Sequence, residues 1–172
     1  MITTIPDKIH MANIYNGHDR VVGAGDEIPL PNLDAIVSEM SGFGILGSYS
    51  TPTPGFYENL ELEIPHRMLT GELFDMSDPS KAQTVTIRGS QQRIDGEGNL
   101  DYVGMVVVAR GLPTSITTGK VKQGESMDAS VKMSLSYYKI EIDGVTVFEL
   151  DKISAKCEIM GVDIMAKSRK LC

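Results

Sequence analysis

Residues 127–150 read MDASVKMSLSYYKIEIDGVTVFEL, and they have the clearest strand pattern in the chain. In its first half apolar and polar residues alternate, which is the pattern of a β-strand with one buried and one solvated face. The apolar positions change parity at Tyr137-Tyr138, which predicts a β-bulge or a bend at the tyrosine pair. Asp143-Gly144 then predicts a tight turn into a second strand over residues 145–150. The region is therefore expected to be an antiparallel β-hairpin.

Alternation and turn residues predict further strands on both sides of this hairpin. We expect a hairpin around Asn16-Gly17, a strand from Leu60 to Ile64 that Pro65 ends, and paired strands over residues 85–93 and 100–112. Helical spacing predicts short helices over residues 68–76 and 162–171, while residues 34–41 fit either strand or helix. The expected fold is mainly β: one domain, residues 1–172, forming a small antiparallel β-barrel or sandwich with a short flanking helix and a C-terminal helix.

Residues 42–55, GFGILGSYSTPTPG, show neither the alternation of a strand nor the spacing of a helix over any sustained length. We therefore predict a long loop here, and a protruding segment over residues 34–58, because loops of this length usually serve a function or reach a partner. The first six residues match the G-x-G-x-x-G motif, but a dinucleotide site needs that motif between a strand and a helix. The two prolines that follow exclude such a helix, so the match is interpreted as accidental.

Composition excludes several classes of protein. The chain has 172 residues, 41% of them hydrophobic, and a net charge of −7, so a surface that grips nucleic acid by neutralising phosphates is not expected. No apolar run approaches the length of a membrane-spanning helix. The two cysteines, Cys157 and Cys172, do not form a disulfide framework, and they indicate a reducing compartment.

No catalytic or metal site emerges from spacing. His10, His18 and His66 are scattered, neither cysteine lies in a Cys-x-x-Cys pair, and no Gly-x-Ser-x-Gly elbow occurs. Glu61 and Glu63 share one strand face and are interpreted as solvated residues rather than as paired catalytic carboxylates. We expect neither an enzyme nor a cofactor, and a monomeric β-sandwich that binds a carbohydrate or peptide through residues 42–55 remains one alternative.

The segment SLSYYKIEIDG, residues 134–144, resembles the major tail tube proteins of contractile-tailed bacteriophages and related contractile tail-like particles. The resemblance covers nearly the whole chain. The other segments that fall in the family's order are Leu30-Pro31-Asn32-Leu33, the glycines of residues 42–47, Arg110-Gly111-Leu112, Lys122-Gln123-Gly124-Glu125 and Gly161-Val162-Asp163. The family often has a basic residue before its loop glycines, where this chain has Met40 and Ser41, so the ring-stacking contacts are expected to differ there.

The resemblance implies a structural subunit that forms hexameric rings, stacked into a tube through which double-stranded DNA passes without specific binding. Its implied partners are the tail sheath, a baseplate or tube initiator, the tape measure and the tail terminator, with no membrane contact. The implied location is the virion tail, and the host cytoplasm during assembly. An acidic subunit suits such a conduit, because its wall repels phosphate.

Two sets of residues are candidates for this role. The residues expected to contact the next ring are Glu39, Met40, Gly42, Phe43, Gly44, Ile45, Leu46, Tyr49, Phe56 and Tyr57. The residues expected to face the channel are Glu39, Asp128, Ser130, Lys132, Ser134 and Glu141.

Overall fold

The computed structural model describes residues 4–172, and these residues form eleven strands and two short helices. The strands are β1 Thr4–Asn16, β2 Asp19–Val21, β3 Ala35–Met40, β4 Tyr49–Tyr57, β5 Glu61–His66, β6 Gln83–Asp95, β7 Leu100–Thr117, β8 Ala129–Ile142, β9 Val145–Asp151, β10 Lys156–Ile159 and β11 Val162–Asp163. The helices are α1 Gly71–Met76 and α2 Ala166–Arg169. The mainly β expectation is confirmed.

Nine strands form one antiparallel sheet in the order β11-β10-β9-β8-β7-β6-β1-β2, with β5 paired to β8 outside that path. Strand β8 is the centre of this arrangement. One of its edges pairs with β7, whereas the other pairs first with β5, over residues 129–134, and then with β9, over residues 137–142. The predicted Asp143-Gly144 turn joins β8 to β9, with both residues at positive φ as a type I′ turn requires.

The sheet does not close into a barrel over the part of the chain that the structure describes. A single bridge pairs Ala24 with His66, supported by the hydrogen bonds from Gly25 N to Pro65 O, 2.8 Å, and from Arg67 N to Gly23 O, 3.0 Å. This bridge links the chain after β2 to the end of β5. Of the two predicted forms, the closed barrel is therefore wrong, because one bridge replaces the strand ladder that closure needs.

The predicted change of parity in β8 is a β-bulge. Arg110 of β7 pairs with Tyr137 and the next residue, Gly111, pairs with Leu135, so Ser136 is the extra residue. The bulge lies one residue before the tyrosine pair. Because of it, Leu135 and Tyr138 both point into the core, although they are an odd number of positions apart.

The main core is a single cluster of buried apolar side chains from several strands of the sheet. It joins apolar residues of β5 and of the first half of β8 to those of β1, β6, β7 and β9. Its fully buried members include Leu62, Ile64, Val107, Met133 and Tyr138. A second, smaller cluster packs Leu73 of α1 against Ala129 and Val131.

Several predicted boundaries were wrong. The long loop over residues 42–55 is shorter, because residues 49–55 belong to β4. Pro65 does not end β5, which continues to His66. Within residues 4–172 strand β5 has a ladder only to β8, and the lack of an N–H at Pro65 is tolerated on its other edge.

The two predicted helices are also shorter. Helix α1 begins only at Gly71, because the Thr70 hydroxyl caps it by accepting a hydrogen bond from Leu73 N, 3.3 Å. The predicted C-terminal helix over residues 162–171 is mostly replaced by β11 and a single helical turn, α2.

Candidate assembly surfaces

Strands β3 and β4 form a two-stranded sheet of their own, here called the arm, residues 35–57. Within residues 4–172 neither strand pairs with the nine-stranded sheet. The arm carries a dense group of exposed large apolar side chains, and Phe43 and Leu46 at its tip are fully exposed. The full group is Ile36, Val37, Met40, Phe43, Ile45, Leu46, Tyr49 and Phe56. Such a surface is typical of a contact with another protein.

The base of the arm is fixed to the core. The ring of Tyr57 packs edge-on against Phe148, with 5.6 Å between centroids, and burial together with the nearby Cys157 thiol raises the Tyr57 pKa. Gly55 lies against Met165, and a Cβ at Gly55 would come within 2.3 Å of the Met165 sulfur. Lys152 Nζ donates to Glu58 O, 2.7 Å. Tyr57 is therefore an anchor of the arm, unlike the exposed residues at its tip.

The arm has an irregular point between its base and its tip. Ala35 pairs with Tyr57, but two residues later Val37 pairs with Pro52, so four residues, 53–56, lie outside the ladder. This stretch contains Pro54 and Gly55, of which Gly55 has a φ of 79°. The tip, residues 41–48, includes the six residues of the G-x-G-x-x-G match and forms a turn that leads into β4. The helix that a dinucleotide site needs after this motif is therefore missing there.

Three of the predicted channel residues lie side by side on the outward face of β8, and each contacts β5 or Asn59, two residues before it. Ser130 Oγ donates to Glu63 Oε1, 2.7 Å, and Ser134 Oγ donates to Asn59 Oδ1, 2.6 Å. Between them Lys132 Nζ lies 3.6 Å from Glu61 Oε2. These residues form a polar strip across the two strands, with Ser130 itself only 8% exposed.

The other three predicted channel residues are separate from this strip. Asp128 precedes β8 in a left-handed conformation, and a hydrogen bond from Ser126 and the ion pair with Lys120 lower its pKa. Glu141 lies beyond the bulge and pairs with Lys139, 2.5 Å. Glu39 is on the arm, opposite Ser50. The structure therefore groups Ser130, Lys132 and Ser134, whereas the three acidic candidates lie elsewhere.

Comparison with known proteins gives this geometry a context. A family model for phage tail tube protein FII matches residues 6–171. This chain belongs to the phage tail tube protein family. A curated relative, the tail tube protein of Escherichia phage P2, is 26% identical over 174 residues, covering 96% of each chain. The family resemblance read from the sequence is thereby confirmed.

A solved structure has a similar fold. It is a chain of an extracellular contractile injection system, described as the PVC sheath/tube terminator in its extended state, determined by cryo-EM. The TM-score is 0.57 at 14% identity, over 79% of this chain and 96% of that chain. At this identity the match bears on the fold alone.

Tail tube proteins are structural components of the virion, not enzymes. The surfaces of this tail tube protein therefore matter more than its cavities. Neither of its described helices has the length or apolar character needed to cross a membrane.

One polar cluster of the tail tube protein was not found from sequence. Tyr137 OH donates to Glu149 Oε1, 3.1 Å, and Lys156 Nζ donates to Glu149 Oε2, 2.8 Å. Burial and the hydrogen bond to Glu149 raise the Tyr137 pKa to about 12, whereas the Lys156 hydrogen bond lowers the Glu149 pKa. Arg110 stacks on the Tyr137 ring at 5.0 Å. Only cross-strand register brings these residues together, so single-strand periodicity carries no signal for them.

Proposed function

We propose that this tail tube protein assembles into hexameric rings that stack into the inner conduit of a contractile tail, through which DNA is ejected. The observation that carries the proposal is the end-to-end match to the tail tube protein of phage P2, over 96% of both chains. The solved structure with a similar fold belongs to a contractile injection system, so the proposed subunit fold is one that such particles use. The partners proposed are a sheath around the tube, an initiator at the baseplate, a tape measure inside and a terminator at the end.

In this assembly the arm contacts a neighbouring ring. Its apolar side chains are exposed in the subunit, and burying apolar surface is the main favourable term in protein association. The arm is anchored at Tyr57 and Gly55, so its tip is presented from a fixed base.

The channel wall is proposed to include the polar strip of Ser130, Lys132 and Ser134. Each member already has a partner on β5 or at Asn59, two residues before β5, and Lys132 is paired with Glu61. A paired lysine offers less attraction to DNA phosphate than a free one. Six copies at −7 each carry −42 per ring, so the conduit as a whole repels DNA.

The proposal is tested by light scattering coupled to size-exclusion chromatography, with electron microscopy of the concentrated protein. We expect a ring-sized species and tubes whose cross-section has six-fold symmetry. A strictly monomeric protein at high concentration, without rings or tubes, would contradict the proposal and favour the monomeric ligand-binding module.

A further inference from the structure

The net charge of the chain is concentrated in one continuous stretch. Residues 21–66, here called the acidic segment, contain seven acidic side chains and no lysine or arginine. All other residues together carry 16 acidic and 16 basic side chains, so the acidic segment alone accounts for the net charge of −7. The acidic segment contains the whole arm and β5.

Most of these carboxylates have no cation beside them in the subunit. Asp26 pairs with Arg67 at 2.9 Å and Glu61 with Lys132 at 3.6 Å, while Glu63 accepts a hydrogen bond from Ser130. The four others have no lysine or arginine nitrogen within 4.0 Å among residues 4–172. These four, all exposed, are Glu27, Asp34, Glu39 and Glu58.

The opposite imbalance occurs near the other end of the chain. Residues 152–170, here called the basic segment, contain five lysine or arginine side chains and two acidic ones. Arg169 pairs with Asp163 and Lys156 with Glu149 and Glu158, but Lys167 and Lys170 have no acidic partner within 4.0 Å in the described chain. Both lysines are exposed on and beside α2. Fully or mostly exposed apolar side chains, Val162 and Leu171, flank them.

From this distribution we infer that the arm of one subunit docks on the basic segment of a second copy of the chain, with Glu39 of the arm and Asp34, the residue before the arm, opposite Lys167 and Lys170. A contact between two identical patches would bring acidic segment against acidic segment, and like charges placed together across an interface are unfavourable. A head-to-tail contact pairs unlike charges, and contacts of that kind generate rings or filaments rather than closed dimers. The inference rests on the proposed function, because it names the partner surface of the arm in the tube.

Charge exchange between the two segments tests the pairing. An arm variant, Asp34→Lys with Glu39→Lys, has basic side chains at both sets of contact positions, and a tail variant, Lys167→Glu with Lys170→Glu, has acidic side chains at both. In each variant alone, two attractive contacts between unlike charges become repulsive contacts between like charges. We therefore expect each variant alone to need about tenfold more protein than wild type to form tubes. A mixture of equal amounts should form tubes in which the two variants alternate, because every contact is then again between unlike charges.

The controls separate the outcomes. Lys81→Glu with Lys122→Glu makes the same change in net charge as the tail variant, but elsewhere on the surface, and should assemble like wild type. If either variant assembles normally alone, or if folded variants remain unassembled when mixed, the pairing is overturned while wild-type tubes still support the proposed function. Absence of wild-type tubes would instead count against the proposed function itself.

A measurement on the wild-type protein is independent of how the variants fold. At about 1 M salt the screening length falls to about 3 Å, compared with about 8 Å at physiological ionic strength. Tube formation measured by sedimentation should therefore need more protein at high salt. Assembly that is unchanged or stronger at high salt would contradict the inference.

Discussion

At the scale of single residues, Gly111 determines how β7 passes the bulge of β8. A Cβ built on Gly111 would lie 2.0 Å from Ser134 O, a distance that no real contact has. Glycine is required here because the backbones of the two strands approach too closely for any side chain. This close approach explains why glycine occupies the middle of Arg110-Gly111-Leu112, one of the segments that carry the family resemblance.

We predict that Gly111→Ala destabilises the subunit by about 1 to 3 kcal/mol, because the strands must separate to admit the methyl group. Urea denaturation followed by circular dichroism measures the change. Gly104→Ala, also on β7, is the matched control, since nothing lies within 4 Å of a Cβ at that position. Equal stabilities of the two variants would show that the bulge adjusts freely.

Ionisation of the buried Tyr138 side chain is expected to lower the stability of the subunit at alkaline pH. Burial raises the Tyr138 pKa from 10.0 to about 12. The unfolded chain therefore loses the proton first, so the stabilising contribution is complete below pH 10 and is lost as the pH rises towards about 12. We predict that Tyr138→Phe flattens the decline in melting temperature between pH 10 and 12. An unchanged decline would mean that other groups control alkaline unfolding.

At the scale of elements, β8 has one face in the core and one face outside it. Leu135 is buried, whereas its neighbour Ser134 contacts Asn59 on the outward side. We predict that Leu135→Asp prevents folding, because an unpaired buried carboxylate costs about 3 to 5 kcal/mol. Ser134→Asp should remain folded with a nearly unchanged melting temperature. Soluble, folded Leu135→Asp protein would show that the faces are reversed.

The arm gives the second prediction at this scale. Phe43→Ser with Leu46→Ser removes two fully exposed side chains, so the stability of the subunit should change by less than about 0.5 kcal/mol. Tubes should be lost in electron micrographs because the arm no longer buries its tip against a neighbour. Val121→Ser, at a mostly exposed residue outside the arm, is the control. Normal tubes from the double variant would exclude the tip from the contact.

Elements with regular alternation could be predicted from sequence, and irregular ones could not. The alternation of β5 and β8 and the Asp143-Gly144 turn are local signals, and all three were correct. Strand β4 contains Pro52 and Pro54, which oppose a strand in a sheet interior, yet it forms because both strands of a two-stranded sheet are edges. The short strands β10 and β11 have too few residues to show a period.

The candidate surfaces divide in the same way. The segment of the arm was singled out because residues 42–55 lack a sustained period, whereas the exposure of its apolar side chains is known only from the structure. The pairing of Lys132 with Glu61, and the Tyr137 cluster, depend on register between strands that are far apart in sequence. That information is absent from any single segment.

At the scale of the whole molecule, the charge balance predicts weak interaction with DNA. We expect assembled tubes to retain no duplex DNA at physiological ionic strength, where only close contacts remain effective. Filter retention or co-sedimentation with labelled DNA measures this. Salt-sensitive binding by intact tubes that disappears in Lys132→Ala would refute the non-adhesive channel and leave the tube assignment intact.

The position of β8 between three neighbours has a mechanical consequence. Its ladder to β7 runs along nearly its full length, and β5 and β9 together cover most of its other edge. A load applied parallel to β8 must therefore break many hydrogen bonds at once, in shear, whereas an edge strand such as β11 can peel away one bond at a time. We therefore expect the subunit to resist rupture better under a load along β8 than under a load that peels β11 away.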